Sequence, residues 1–184
     1  MKIAVYCGST SGADPDFRHA AEELGRWIAH SGHSLVYGGG DWGLMGVVAS
    51  EAHSGGAEVI GVIPTDVGMI REREQAFCTE AIYTADMSSR KGQMLALADA
   101  CVALPGGIGT LDEMSEAIVL TRLGIYDKPC VFFNRGGFYE PLEQMFLRME
   151  SCGFLAAENM THVCFAETVE EIAFFVENWG LSSC

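Results

Sequence analysis

Ala100-Cys101-Val102-Ala103-Leu104-Pro105-Gly106-Gly107-Ile108-Gly109-Thr110-Leu111-Asp112-Glu113 reads as a buried strand, a glycine-rich turn and the start of a helix. The small and β-branched residues up to Leu104 suit a strand covered on both faces. The glycines after it lack Cβ atoms, so successive N–H groups can aim at one anion, and the dipole of the following helix adds partial positive charge there. A monophosphate fits such a turn. A P-loop does not, because its Lys-Ser/Thr pair is missing. Thr110-x-x-Glu113 also spells a capping box, in which the two side chains merely satisfy backbone donors at a helix start. A carboxylate this close to a bound phosphate would be repelled unless it faced another part of the ligand, such as the sugar, where a catalyst is wanted. Glu116, one turn onward, reads as an exposed helix residue.

Working outward, apolar runs alternate with helical periodicity along the whole chain. Ile3 to Tyr6 is a strand, Cys7 to Gly12 a small-residue turn, and Asp16 to His30 an amphipathic helix with Phe17, Ala20, Leu24, Trp27 and Ile28 inward, ended by Gly32. Strand Ser34 to Tyr37, the turn Gly38 to Gly43 and a helix from about Leu44 to His53 follow. Glu58 to Ile63 is a strand ended by Pro64, and Thr65 to Ala85 is the least regular stretch, expected to be a mobile loop plus a short strand. Asp86 to Ala98, Thr110 to Leu123, Phe138 to Glu150 and Thr168 to Trp179 are predicted helices. Lys128 to Phe133 and Thr161 to Phe165 are the remaining predicted strands. This alternation predicts an α/β fold, a Rossmann-like three-layer α/β/α arrangement with a central parallel sheet, spanning residues 1–184 as one nucleotide-binding domain.

Gly38-x-Gly40-x-x-Gly43 matches the dinucleotide fingerprint. The acidic residue that should grip a ribose diol at the end of the next strand is missing: Ile63 and Pro64 stand there, and Glu58 is at the wrong end. A tight turn with close helix packing explains this loop as well as a phosphate contact does. Arg90-Lys91 is a cation pair on a mildly apolar helix; an isolated Arg-Lys dipeptide is usually a solvated surface pair, but this helix leads into the strand bearing Pro105-Gly106-Gly107, and the carboxyl edge of such a sheet is the expected ligand crevice.

The 184 residues, 49% hydrophobic and 20% charged with 22 Gly and 5 Pro, have globular composition. A net charge of -14 argues against a sequence-independent grip on nucleic acid. The 7 cysteines are an odd number without a C-x-x-C pair, so neither a disulfide framework nor a zinc finger is expected. The 5 dispersed histidines show no ligand spacing, and no metal is expected. With no signal peptide and no membrane-spanning stretch, the expected location is the cytoplasm, with no membrane partner.

Beyond these readings, the sequence resembles the LONELY GUY family of cytokinin riboside 5′-monophosphate phosphoribohydrolases, long mislabelled as lysine decarboxylases. The resemblance spans nearly the whole chain. It rests on Cys7-Gly8-Ser9, Tyr37-Gly38-Gly39-Gly40-x-x-Gly43-Leu44-Met45-Gly46, Val62-Ile63-Pro64, Arg90-Lys91-x-x-Met94, Pro105-Gly106-Gly107-x-Gly109-Thr110-x-x-Glu113 and Leu123-Gly124-x-x-x-Lys128-Pro129. It implies hydrolysis of the N-glycosidic bond of an adenine-type nucleoside 5′-monophosphate, without a cofactor, in a homodimer or larger homo-oligomer. The paired catalytic residues fall on Arg90 and Glu113, and other ligand contacts on Glu72, Lys91, Gly107, Ile108, Gly109 and Thr110. Ser9, Gly39, Gly40 and Gly106 complete the expected substrate-binding set. Ser88 stands where many plant-like members have His, and Val119 where some carry Thr, which bears on the preferred base.

The chemistry of the residues agrees, because departure of a purine leaves an oxocarbenium-like sugar that a nearby carboxylate stabilises, as in glycoside hydrolysis. Glu113 can also orient or deprotonate water while Arg90 positions the carboxylate or ligand and Lys91 balances charge. The alternative from another class is a non-catalytic carrier or sensor of a nucleotide-like ligand on the same cradle. An NAD-dependent oxidoreductase lacks its ribose-binding acid, and no Lys is marked as the cofactor anchor of a decarboxylase.

Overall fold

In a computed structural model, residues 1–65 and 76–180 are described. They form a fully parallel seven-stranded sheet in the order β4-β3-β2-β1-β5-β6-β7. The strands are β1 (Lys2–Tyr6), β2 (Ser34–Tyr37), β3 (Val59–Pro64), β4 (Glu80–Thr84), β5 (Ala100–Ala103), β6 (Cys130–Phe133) and β7 (Val163–Ala166). Six α-helices accompany them among the described residues: α1 (Pro15–His30), α2 (Gly43–Ser54), α3 (Met87–Leu97), α4 (Ile108–Arg122), α5 (Glu140–Ser151) and α6 (Val169–Glu177). The expected three-layer α/β/α arrangement is therefore the one found.

Strand periodicity divides the core. Ile3, Val5, Leu35, Tyr37, Val102 and Val131 face one side, where they meet α1, α2 and α6 through Leu24, Ile28, Leu44, Val48, Ile172 and Val176. Ala4, Tyr6, Val36, Ile60, Cys101 and Phe132 face the other, against Met94 and Leu95 of α3, Met114 and Ala117 of α4, and Phe146 of α5. Because both faces are covered, the strands read as continuous apolar runs rather than as alternating ones.

The chain builds outward from β1 through β2 and β3 to β4, then crosses back to place β5 on β1's other side. That reversal leaves a crevice beyond the carboxyl ends of β1 and β5. The two turns at the crevice are stapled: Gly8 N–H donates to the Pro105 carbonyl at 3.1 Å and Leu104 N–H to the Tyr6 carbonyl at 3.0 Å. The irregular stretch after Pro64 yields edge strand β4. The loop expected before it falls largely on residues 66–75, outside the described residues.

Phe132 is the aromatic keystone of the second face, stacked on Phe165 at 5.0 Å and edge-to-face with Tyr139 at 4.9 Å. Phe132→Ala is expected to cost about 3–5 kcal/mol by lost transfer energy and a residual cavity. Urea unfolding should show a lower midpoint with an unchanged slope.

Candidate active site

A cavity of about 320 Å³ occupies the crevice, within the size range of small-molecule sites. Its walls come from Tyr6 and Cys7 at the end of β1, Gly8 and Ser9 in the turn that follows, Gly38 after β2, and Met45 on α2. Met87, Arg90 and Lys91 of α3 face Gly107, Gly109, Thr110, Asp112 and Glu113 at the start of α4. Among the described residues no group of His, Cys, Asp and Glu side chains is placed to hold a metal ion.

Arg90 and Glu113 form the centre. Arg90 Nη1 donates to Glu113 Oε1 at 3.1 Å, and the two side chains retain only 10% and 11% exposure. Arg90 Nε donates to the Val62 carbonyl at 3.2 Å, which anchors the guanidinium to the end of β3. The helix start that delivers it is fixed by Asp86, whose Oδ1 accepts the Ser89 N–H at 2.6 Å. Burial raises the Glu113 carboxyl above the usual carboxylate range, and the Arg90 guanidinium opposes that rise. Tyr6 and Cys7, beside this carboxylate, are pushed up chiefly by burial and further by Glu113 itself, so both stay protonated at neutral pH.

The structure bears on three readings of the sequence. First, α4 begins at Ile108 with Gly107 as its N-cap, so Thr110 lies inside the first turn and the capping box does not form. Glu113 turns to Arg90 instead, and Thr110 is buried with its hydroxyl against Gly106, where an added Cβ would lie 2.1 Å from Oγ1. Second, Lys91 is not free to balance a ligand's charge alone. Its Nζ is 2.8 Å from both Asp112 and Glu116, which raises its pKa and makes Glu116 a partner rather than a bystander. Third, the fingerprint loop shows the close packing that its sequence allowed as one of two explanations. A Cβ on Gly38 would sit 1.8 Å from Arg90 Nη2, so the missing side chain is the space the guanidinium fills.

Of the expected substrate-binding residues, Ser9, Lys91, Gly107, Gly109 and Thr110 line the cavity with Arg90 and Glu113. Gly39 and Gly40 do not: they are buried, packed against Ile63 and Met45. Gly106 lies behind the turn and lines a second cavity of about 200 Å³ with Phe17 and Phe138. Ile108 is 82% exposed and is not among the residues that wall the cavity. Glu72 lies outside the described residues. Sequence reasoning missed Val5, Tyr6, Cys7, Gly8, Met45, Met87 and Asp112 as wall residues. A signal existed for Tyr6, the last residue of a central strand at the carboxyl edge.

Gly38→Ala should displace Arg90 from Glu113 and raise the Glu113 pKa further, because the opposing charge retreats. Carboxyl titration by ¹³C NMR checks this, and an unchanged Glu113 titration would show that Arg90 does not depend on that space.

Residues 45–174 match the family described as possible lysine decarboxylase. The chain is 41% identical to the cytokinin riboside 5′-monophosphate phosphoribohydrolase LOG of Oryza sativa subsp. japonica, over 97% of this chain and 73% of that protein. It is 39% identical to a cytokinin riboside 5′-monophosphate phosphoribohydrolase of Arabidopsis thaliana, over 97% of this chain and 83% of that one. Among solved structures, the molybdenum cofactor carrier protein of Chlamydomonas reinhardtii superposes with a TM-score of 0.71 at 24% identity, covering 97% of this chain and 96% of that chain. That likeness concerns the fold alone. Sequence identity sustained over nearly the whole chain, on the parallel sheet just described, places this protein in the possible-lysine-decarboxylase family that includes the cytokinin riboside 5′-monophosphate phosphoribohydrolases.

Proposed function

We propose that this enzyme hydrolyses the N-glycosidic bond of an adenine-type nucleoside 5′-monophosphate, AMP or its N6-isoprenylated form, to free base and ribose 5-phosphate. The observation that carries the proposal is the buried Arg90–Glu113 pair in the wall of a cavity opening at the N-terminus of α4. The first N–H groups of α4, after Gly107, have no partners within the helix and suit a phosphate. A phosphate there directs the ribose toward Glu113, one to two turns along the same helix.

In the reaction the bond from ribose C1′ to the base nitrogen breaks with its electron pair leaving on the base, which takes up a proton from solvent, while Glu113 later returns to solvent the proton it gains from water. Glu113 stabilises the positive charge that grows on the sugar and takes a proton from the water whose oxygen bonds to C1′. A carboxyl raised by burial is a stronger base than an ordinary one. Arg90, held by the Val62 carbonyl, keeps Glu113 ionised and oriented. The protonated Tyr6 hydroxyl and Cys7 thiol lie in the wall as neutral groups that add no charge near the leaving base.

The proposal extends to assembly and location. Exposed Val119, Leu123 and Ile125, on and just after α4, are an apolar surface suited to a second copy of the chain. The free thiols of Cys7, Cys78 and Cys152 agree with residence in the reducing cytoplasm. In analytical ultracentrifugation the parent should sediment as a dimer or larger, and Leu123→Asp with Ile125→Asp should shift it toward monomer.

Purified protein incubated with AMP and with isopentenyladenosine 5′-monophosphate should release free base and ribose 5-phosphate. Arg90→Ala and Glu113→Gln should each lower kcat/KM by about 10²–10⁴-fold. Binding of either nucleotide without cleavage would favour a carrier or sensor instead. The sign of the pH dependence follows from the carboxylate being the working form. Activity should fall as pH drops through the Glu113 pKa, on an acid limb above the ordinary value of 4.5. Arg90→Ala should move the residual activity's limb higher still.

A further inference from the structure

Leu123-Gly124-x-x-x-Lys128-Pro129 takes no part in the cavity, yet Lys128 reaches the helix that carries Arg90. Its Nζ donates to the carbonyl of Leu95, in the last turn of α3. That carbonyl needs a partner. Leu95 is 2% exposed, and the N–H of Asp99, which would reach back to it in a longer helix, goes instead to the Lys2 carbonyl at 2.7 Å. The last turn of α3 has no basic residue of its own, so Lys128 supplies the cation that a helix C-terminus favours.

The ammonium is held from several sides. The Tyr126 ring centroid lies 4.3 Å from Nζ. Asp99 and the thiols of Cys101 and Cys130 are the titratable groups facing it, and burial pushes its pKa down. The backbone next to it is fixed as well, because the Pro129 carbonyl accepts the Cys101 N–H at 2.9 Å. Lys128 stands on the segment that leads from the end of α4 into β6, so its bond ties the end of α3 to the return from α4.

We infer that Lys128 is a positioning residue that holds α3 in axial register, and so sets Arg90 against Glu113, through its bond to the Leu95 carbonyl. Arg90 precedes Leu95 by about 7.5 Å along the helix axis. The upstream end of α3 is fixed by Asp86, and Lys128 fixes the downstream end. Slippage of the helix would draw the guanidinium away from both Val62 and Glu113. The inference rests on the hydrolase reading for its catalytic consequence, but its structural core does not.

The test compares Lys128→Met, which keeps the apolar stem, with Lys128→Arg, which keeps the charge. In Lys128→Met, kcat should fall on the order of 10-fold to 100-fold, with KM within about twofold of the parent and the acid limb displaced upward. Lys128→Arg should restore most of the loss. A substrate-free readout accompanies these: the ¹³C carboxyl titration of Glu113, which Arg90, Lys91 and Asp112 surround along with Tyr6 and Cys7. Its pKa should rise in Lys128→Met. If that variant does not fold, Tyr126→Leu loosens the same ammonium and should raise the Glu113 pKa by less. A lowered Tm with kcat, KM and the Glu113 titration all unchanged would overturn the inference. If the parent cleaves no nucleotide, the hydrolase reading fails while the titration still decides the role of Lys128.

Discussion

A buried guanidinium and a buried carboxylate are costly unless each meets the other and its remaining hydrogen-bonding groups find partners. That requirement organises the carboxyl edge of this sheet. Arg90 meets Glu113 across the gap between α3 and α4 while its Nε rests on the Val62 carbonyl. Gly38, at the end of β2, has no side chain to obstruct it. The end of β2, β3 and α4 therefore converge on one side chain. The strand order makes this possible, since placing β1 between β2 and β5 sets the two helix starts on either side of one crevice.

The strand-helix alternation was legible because both sheet faces are covered, which turns strands such as Val36 or Cys101 into uninterrupted apolar runs. Arg90 and Glu113 were singled out for a different reason: Glu113 follows a glycine turn, and the family resemblance implied the pair. Their meeting at 3.1 Å was not legible. It depends on the relative height of two helices separated by β5, and no local pattern encodes that height.

Gly38 shows why the fingerprint left two explanations open. A glycine after a strand signals close approach, but the sequence does not say of what. Here a distant arginine fills the space that Gly38 leaves. Thr110 and Glu113 have capping-box spacing, yet the helix starts at Ile108, because Gly107 can serve as N-cap and the Glu113 carboxylate has a stronger, charged partner in Arg90. Lys91 looked available because its two acidic partners sit on another helix, at positions 112 and 116, which are close to it only in the fold.

The tying of Lys91 to two carboxylates, in a chain whose net charge is -14, has a kinetic side. A phosphate dianion approaching this protein climbs a repulsive field, with no exposed cationic funnel formed by the described cavity wall to draw it in. For a phosphate bound as proposed at the head of α4, attraction would begin only at contact range, from the N–H groups there. Ions in the medium shorten the reach of the repulsion to about 8 Å at physiological strength. On the proposed site, salt is expected to assist the encounter with an anionic ligand, the reverse of the behaviour of an enzyme that steers its substrate with positive charge.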